Sequence, residues 1–295
     1  MNNYEIMEQY LAEMEIALAE NTVKMYRSTL NGFLSVIGDS APDRQAFMRW
    51  LKMLKDGNRK NNSIRTMVSV VKSFTHWAVA LGYYPADFTE NVKLPAPEYH
   101  VADRMTHDEA KVLMSMAAPR YSHNALRNKA MLELALVTAS RVSALCALRR
   151  NDIDLDAKTV TLRHTKRNKE LVMPLTDHLT EQLEQYIKYV RPSELTDDDY
   201  LFVGERKDKD GNWRPLTRQA VSVITKLYTK EACGRALSPH KLRHTSASIQ
   251  IDAGLSIEDI SKNLGHSSVA TTQRYAQKLN DGARRKATVA VFENL

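Results

Sequence analysis

The sequence predicts a mainly α-helical protein with a small β-sheet, an α+β fold divided into two domains. Apolar residues recur at helical spacing through most of the first half. A proline-containing stretch without such spacing then separates this half from a second one, in which two β-rich runs interrupt a series of helices. A length of 295 residues is enough for two domains, each with its own core.

Three amphipathic helices are predicted after an acidic first helix. The segment TVKMYRSTLNGFLSVIG is expected to begin with Asn21 or Thr22 as a cap and to stop at Gly38. The segment DRQAFMRWLKMLKDG follows and ends at Gly57. The third, NNSIRTMVSVVKSFTHWAVALG, is capped near Asn62 or Ser63. Its predicted buried face contains Ile64, Val68, Val71, Phe74 or Thr75, and Ala78.

The opposite face of this third helix carries Arg65, Ser69, Lys72 and His76. A solvated polar face explains this pattern without any partner. Basic residues that alternate with small polar ones also suit a DNA groove. Both interpretations stay open from this helix alone.

A linker is predicted in ENVKLPAPEYHVADRM, which has two prolines and a turn-like composition. The expected division is a helical domain over residues 1–97, a linker over 98–104 and a second domain over 105–295.

The second domain is predicted to combine helices with one hairpin. Thr106 and Glu109 form a capping box before KVLMSMAA, and NALRNKAMLELALVTA reads as a largely buried helix. A turn and a helix follow in SRVSALCALRRNDIDL. KTVTLRH and KELVMPL then form a β-hairpin around TKRN. Four further helices are predicted in TRQAVSVITKLYTKEA, SPHKLRHTSASIQIDAG, SIEDISKNLG and ATTQRYAQKL.

Composition favours a cytoplasmic protein. The hydrophobic content of 43% and charged content of 26% are ordinary for a soluble globular chain, and no apolar run is long enough to span a membrane. Five glutamates and no basic residue in the first 20 positions are unlike a secretory or transit signal. Cys146 and Cys233 are expected to be buried free thiols in a reducing compartment.

The net charge of +7 indicates a polyanionic partner such as nucleic acid. Residues 1–102 carry 11 basic and 11 acidic residues, so the whole excess lies beyond them. Because five of those acids stand in the first helix, both halves of the chain are otherwise basic.

Cations and hydrogen-bond donors dominate the candidate site residues. No glycine-rich phosphate loop, HExxH, GxSxG or CxxC motif is present. His240 and Arg243 stand at i and i+3 near the start of a helix, where they suit an anionic phosphate, although incidental surface charges explain them too. His266 follows a glycine turn, and Tyr275 comes nine residues later. Taken alone, each is more often a packing residue.

The order of four segments resembles the tyrosine recombinases, also called the phage integrase family. These segments are VTASRVSALCALRRNDIDL, TKRNKELVMPL, SPHKLRHTSA and LGHSSVATTQRY. The resemblance covers essentially all of residues 105–280, and the first domain is weakly similar to the family's helical, SAM-like core-binding domain. It implies an Xer-type or simple-integrase layout, in which two domains form a C-shaped clamp on DNA.

The resemblance assigns a role to each matching residue. Tyr275 matches the nucleophile that forms a 3′-phosphotyrosyl link and frees a 5′-hydroxyl. Arg141 and Arg243 match the arginines that hold the non-bridging oxygens, and His240 matches the general acid/base. Lys166, with Lys169 as a rival, matches the lysine that protonates the leaving oxygen. His266 matches a position that supports the transition state by hydrogen bonding. Expected DNA contacts come from Thr22, Arg65, Lys72 and Thr245.

Physical chemistry agrees with these roles. The transition state of phosphoryl transfer gathers negative charge, which fixed guanidinium groups stabilise better than a lysine does. A tyrosine with a pKa of about 10 needs a base or a cationic field to attack. Because cations perform this chemistry and the phosphotyrosine conserves the bond energy, we expect no metal, no ATP and no other cofactor.

Two positions depart from the family pattern. Ala144 stands three residues after Arg141, where the family usually has an acidic residue that orients the catalytic side chains. Asp152 and Asp154 lie too far along the sequence to be assumed as its replacement. The common TGLR is here TASR, from Thr138 to Arg141. We expect activity to survive, slower or more dependent on partner protomers.

The leading interpretation is a site-specific recombinase that acts on specific core sites as a homo-tetramer, or as a hetero-tetramer with a related recombinase. The alternatives are a type IB topoisomerase-like enzyme and an accessory DNA-binding protein without catalysis. After Tyr275, the tail can dock in a neighbouring protomer or pack on its own core through Val289, Val291, Phe292 and Leu295. The target sequence and the biological role among integration, excision, inversion and dimer resolution stay open.

Overall fold

The computed structural model describes residues 1–38, 40–98, 103–117, 124–163 and 170–264. Contacts divide the chain into two compact units, Met1–His100 and Val101–Leu295. The predicted α+β class is confirmed: helices form most of the described chain, and a three-stranded sheet lies in the second unit.

The described residues of the first unit form four helices, which are α1 (Asn3–Ala17), α2 (Glu20–Ile37), α3 (Arg44–Asp56) and α4 (Asn61–Ala80). Its core is rich in aromatic rings because each helix buries at least one, among them Tyr10, Phe33, Trp50 and Phe74. The predicted buried face of α4 is confirmed, and Gly38 and Gly57 end α2 and α3 as predicted. Gly38 has a φ of 64°, a conformation that suits glycine.

The predicted caps of α2 and α4 are wrong. The two helices begin earlier, with Ala19 and Lys60 in the cap positions and no side-chain cap hydrogen bond at either. Asn62 uses its side chain to hold the segment that follows the helices: its Nδ2 donates to the Glu98 carbonyl at 2.7 Å, and its Oδ1 accepts from the Glu98 amide at 3.2 Å. This tertiary role replaces the capping role that the sequence suggests.

The second unit contains seven described helices and a small sheet. The helices are α5 (His107–Ser115), α6 (Ala125–Val137), α7 (Val142–Ala147), α8 (Asp177–Tyr189), α9 (Arg218–Cys233), α10 (Pro239–Asp252) and α11 (Ile257–Asn263). The capping box of Thr106 and Glu109 is confirmed, and α6 is buried along most of its length. Helix α8, which the sequence reasoning omits, packs against α6.

The sheet has the order β1–β2–β3 and is antiparallel throughout. Its strands are β1 (Ile153–Asp154), β2 (Thr159–Leu162) and β3 (Leu171–Pro174). The predicted pairing of the two β-rich runs is confirmed, with Thr159 opposite Pro174 and Leu162 opposite Leu171, whereas the predicted TKRN turn lies outside the described residues. Strand β1, only two residues long, is too short to show alternation in the sequence.

Two further predictions concern the burial of the two cysteines and the absence of a membrane-spanning segment. Cys146 and Cys233 are free, as predicted, but both are half-buried and not fully buried. No helix within the described ranges has the length and apolar character needed to cross a membrane.

Candidate active site

Helix α10 carries three of the predicted site residues, two of which lie near its start. Ser238 precedes it and Pro239 starts it, a combination that favours helix initiation at this point. His240 and Arg243 follow at i and i+3, so both lie on the same face. Arg243 is only 8% exposed, which is unusual for an arginine and requires partners for its guanidinium group.

The partners of Arg243 come from two other segments of the chain. Its Nη1 donates to the Ala139 carbonyl at 2.5 Å, and its Nη2 donates to the Leu264 carbonyl. Ala139 stands two residues before Arg141, and Leu264 ends the described chain two residues before His266. One buried guanidinium group therefore joins three of the predicted catalytic segments.

Arg141 lies in the cap position of α7, in an extended backbone conformation, and is half-buried. Its positive charge interacts electrostatically with the His240 ring. Burial lowers the pKa of His240 below its ordinary value of 6.5, and the positive charges of Arg243, Lys241 and Arg141 lower it further. The structure thus brings Arg141, His240 and Arg243 together, and the lowered pKa favours the neutral form of His240.

His244 is a further residue of this cluster, which the sequence reasoning did not single out. Its ring packs edge-on against that of His240, with 4.4 Å between centroids. The contact restrains the orientation of His240. The available signal was the i, i+4 spacing, which places the two rings on one face of α10.

Ala139 has a left-handed backbone with a φ of 49°. This conformation explains why glycine is usual at that point of the motif, because a side chain adopts it only with strain. The residue is fully buried and packs with Ala247, Ile260 and Leu264. The departure from TGLR to TASR therefore keeps the backbone shape that presents the Ala139 carbonyl to Arg243.

Ala144, the second departure, is 7% exposed on α7. Asp152 is buried elsewhere, in the short 3-10 turn Arg150–Asp152, where it accepts a hydrogen bond from the Arg149 amide at 2.8 Å. Its other carboxylate oxygen pairs with Arg163 at 2.5 Å. Asp152 thus links the turn before β1 to the residue that follows β2.

Lys166, its rival Lys169, His266 and Tyr275 lie outside the described residues. Their predicted roles stay predictions. The described chain reaches Arg163 and Glu170 on the two sides of the lysine segment, and Leu264 before the histidine and tyrosine.

The four predicted DNA contacts have different environments. Thr22 and Lys72 are half-buried. Arg65, also half-buried, donates from Nη1 to the Pro95 carbonyl at 3.1 Å. Thr245 is fully buried: its hydroxyl accepts from the Met105 amide at 3.0 Å and donates to the Lys241 carbonyl at 2.9 Å. These contacts support a structural role for Thr245.

Chemically, the described cluster can bind an anion and move a proton. Two guanidinium groups at the start of α10 and α7 favour negative charge, and a neutral imidazole can accept a proton. Within the described ranges, no group of three or more His, Cys, Asp or Glu side chains is placed to hold a metal ion.

Comparison with known proteins identifies the chain's relatives. Residues 103–281 match the phage integrase family, and residues 7–82 match the phage integrase N-terminal SAM-like domain. The tyrosine recombinase XerD of Staphylococcus epidermidis is 30% identical over 96% of this chain and 97% of its own length. The tyrosine recombinase XerC of Roseiflexus sp. is 31% identical over 90% of this chain and 86% of its own length.

The chain belongs to the phage integrase family. The prediction of a tyrosine recombinase is confirmed, and with it an enzyme that breaks and rejoins DNA strands in site-specific recombination. A topoisomerase-like function is not favoured, since the matching family and relatives are recombinases and integrases.

Solved structures agree with the recombinase fold. The XerA recombinase is 25% identical, with a TM-score of 0.52, over 97% of this chain and 98% of that one. The Tn1549 transposon integrase in complex with transposon right end DNA has a TM-score of 0.73 at 15% identity, over 93% of this chain and 94% of that one. At that identity, the likeness concerns the fold alone.

Proposed function

We propose that this recombinase cleaves DNA through Tyr275. The tyrosine oxygen attacks the phosphorus of a phosphodiester, a new P–O bond forms to Tyr275, and the bond to the 5′-oxygen breaks. The tyrosine proton passes to His240, and the 5′-oxygen leaves with a proton from Lys166. Attack by a second 5′-hydroxyl reverses these steps and reseals the strand.

The observation that supports this proposal is the gathering of Arg141, His240 and Arg243. Arg243 is held by two carbonyl groups, so its position is fixed before the substrate arrives. Preorganised cations stabilise a developing negative charge without the cost of reorganisation. Arg141 and Arg243 therefore suit the two non-bridging phosphate oxygens, and His266 supplies a further hydrogen bond in the proposed mechanism.

The depressed pKa of His240 supports its role as a base. A neutral imidazole at physiological pH can take the tyrosine proton directly, whereas an imidazolium cannot. Once charged, His240 stands beside the developing phosphate dianion, where its proton is stabilised until the reverse step.

A nicked suicide substrate that carries candidate sites from the flanking genome tests this chemistry. We expect a covalent protein–DNA adduct, with the DNA 3′-phosphate attached to Tyr275 in a peptide map. The variant Y275F is the matched control because it removes one oxygen and keeps the ring. It should bind DNA and form no adduct. An adduct that persists in Y275F overturns the assignment.

For its partners, we propose specific core sites in double-stranded DNA. Residues 1–97 and 105–295 are assigned as the DNA-binding and the catalytic domain. In the first unit, Lys72 and the exposed Ser69 on one face of α4 would lie along the backbone phosphates. Arg65 and Thr22 complete this proposed interface, whereas the buried Thr245 is left out of it.

For assembly, we propose a tetramer on two DNA duplexes, in which each tail docks on a neighbouring protomer. Helix α9 exposes Val223 and Leu227 one turn apart, and Val112 is exposed on α5, which packs against α9. These apolar side chains form the proposed acceptor for Phe292 and Leu295. The variant V223E should abolish tetramers in sedimentation experiments and leave single-site binding intact. Tetramers that persist in V223E contradict this acceptor.

A further inference from the structure

The first turn of α10 carries the proposed base, His240, with little to hold its ring. Ser238 occupies the cap position, and its side chain forms no cap hydrogen bond in the described structure. Pro239 follows and has no backbone N–H to donate. Among the residues that the structure describes, none forms a hydrogen bond with the His240 ring. The orientation of this ring therefore depends on packing.

His244, one helical turn further along, is held firmly. Both of its chain neighbours are anchored by buried hydrogen bonds. The Arg243 Nη1 donates to the Ala139 carbonyl at 2.5 Å, and the Thr245 hydroxyl accepts from the Met105 amide at 3.0 Å. The side chain of His244 is itself half-buried. The backbone from which this ring projects is therefore fixed on both sides.

Helical spacing brings the fixed ring against the ring of the base, because residues at i and i+4 share a face of the helix. The centroids of the His240 and His244 rings lie 4.4 Å apart, and the ring planes cross at 73°. The edge of one ring thus meets the face of the other, an arrangement that is favourable beyond the area it buries. The contact favours one orientation of the His240 ring over its alternatives.

We propose that His244 is a positioning residue that holds the His240 ring in the orientation from which it takes the tyrosine proton. The inference rests on the proposed role of His240 as the base. Proton transfer requires that donor and acceptor atoms lie at hydrogen-bond distance, about 2.6–3.2 Å. A ring that samples several rotamers meets this requirement for a smaller fraction of the time.

The charges around the base add to the need for such a contact. Arg243 and Lys241 on α10 and Arg141 at the start of α7 all place positive charge near the His240 ring. Once His240 has taken a proton, these charges repel it. A ring without packing support would turn away and lose the distance needed to return the proton in the reverse step. The contact with His244 opposes this movement.

Three substitutions of His244 separate ring packing from hydrogen bonding. We expect H244A to cleave the nicked suicide substrate roughly 10- to 100-fold more slowly in single turnover, because part of the general-base contribution is lost. Its DNA affinity should stay within about twofold. H244F keeps an aromatic ring and should recover most of the rate, whereas H244Q keeps hydrogen-bonding groups without a ring and should stay slow. H107A, which removes an exposed histidine on α5, is the control and should cleave at the unaltered rate.

A double-mutant cycle with H240N tests whether His244 acts through His240. Without the base, there is no ring to position, so H240N/H244A should be as slow as H240N alone. A general structural defect would instead slow cleavage equally in both backgrounds and lower the urea midpoint of H244A. Additive losses therefore overturn the positioning role. An unchanged rate in H244A, or rescue by H244Q without rescue by H244F, overturns it as well.

Other outcomes concern the proposed function and are distinguishable from these. If H240N cleaves at the unaltered rate, the role of His240 as the base falls, and the inference falls with it. If the unaltered chain forms no Tyr275 adduct, the proposed function itself is overturned.

Discussion

At the scale of single residues, Ala139 shows how a sequence change can be absorbed by the backbone. Its left-handed conformation directs a carbonyl at Arg243, while its methyl group packs with Ala247, Ile260 and Leu264. Replacement by glycine would relieve about 1 kcal/mol of backbone strain and lose about 0.8 kcal/mol of methyl burial. The two effects nearly cancel, so the alanine is tolerated.

Two substitutions at Ala139 test this balance. We expect A139G to change the free energy of unfolding by less than about 1 kcal/mol. A139V should lose more than about 2 kcal/mol, because a β-branched residue does not tolerate a positive φ. Urea denaturation measures both. Equal stability of the valine and glycine variants would contradict the strained conformation.

The depressed pKa of His240 predicts a pH dependence of cleavage. If His240 is the base, as proposed, its protonation removes the base, so the rate should rise with pH to a plateau, with a midpoint below 6.5. Stability depends on pH in the same direction. As pH falls below 6.5, His240 takes up a proton in the unfolded chain before it does so in the folded one, so the free energy of unfolding decreases.

Single-turnover cleavage between about pH 5 and 8 measures this profile. The variant H240N should lose the midpoint together with most of the rate. A rate that does not rise with pH across this range would show that His240 is not the base.

The sequence predicts part of the site for a physical reason. Helical spacing alone places His240 beside Arg243, since i and i+3 share a face. It does not show that Arg243 is buried or that the Ala139 carbonyl is its acceptor, because these residues are far apart in the chain. Long-range contacts of this kind depend on the packing of α10 against its neighbours.

At the scale of secondary structure, helix ends were predicted correctly where a capping residue or a glycine coincided with the start or the end of the apolar periodicity. Helix α5 begins at a capping box, and α3 ends at Gly57, both as predicted. The caps of α2 and α4 were misplaced because polar residues near a helix start have other uses, such as the Asn62 contacts with Glu98. Helix α8 was omitted, although its Thr176 cap and the spacing of Leu179, Leu183 and Tyr186 carry the signal.

Thr245 tests how α10 is attached to the chain that precedes α5. In T245V the Met105 amide loses a buried acceptor at nearly constant side-chain volume, which should cost about 1–3 kcal/mol of stability. T245S keeps the hydroxyl and is the matched control. Thermal or urea unfolding measures the difference.

The same pair of variants examines the predicted DNA contact. A structural hydroxyl changes stability and leaves the DNA affinity of the folded chain unchanged. If T245V instead retains its stability and binds DNA more weakly, Thr245 contacts DNA as the sequence reasoning expected.

At the scale of the whole molecule, the net charge of +7 governs the encounter with DNA. Helix α1 is acidic, so the excess positive charge lies in the rest of the chain. Two of the α1 carboxylates are paired within the protein, since Arg27 pairs with Glu8 and Glu15. Phosphate contacts should therefore supply most of the affinity, which makes binding strongly dependent on salt.

The contribution of Lys72 to the salt dependence of DNA affinity can be measured. If it contacts a phosphate, K72Q should reduce the slope of log affinity against log salt by about 0.9. The loss should be similar for specific and unrelated DNA, because a phosphate carries no sequence information. K52Q on α3 is the control for a general change in charge. An unchanged slope in K72Q excludes Lys72 from the interface.

The two carbonyl bonds of Arg243 have a thermodynamic consequence. The bond from Nη2 ties Leu264, which follows α11, to the side chain that is proposed to bind the phosphate. If DNA binding favours the position of Leu264 by a given free energy, then displacing Leu264 must weaken DNA binding by the same free energy. A partner that pulls on the end of the chain therefore weakens phosphate binding by the same amount that DNA weakens the partner's hold.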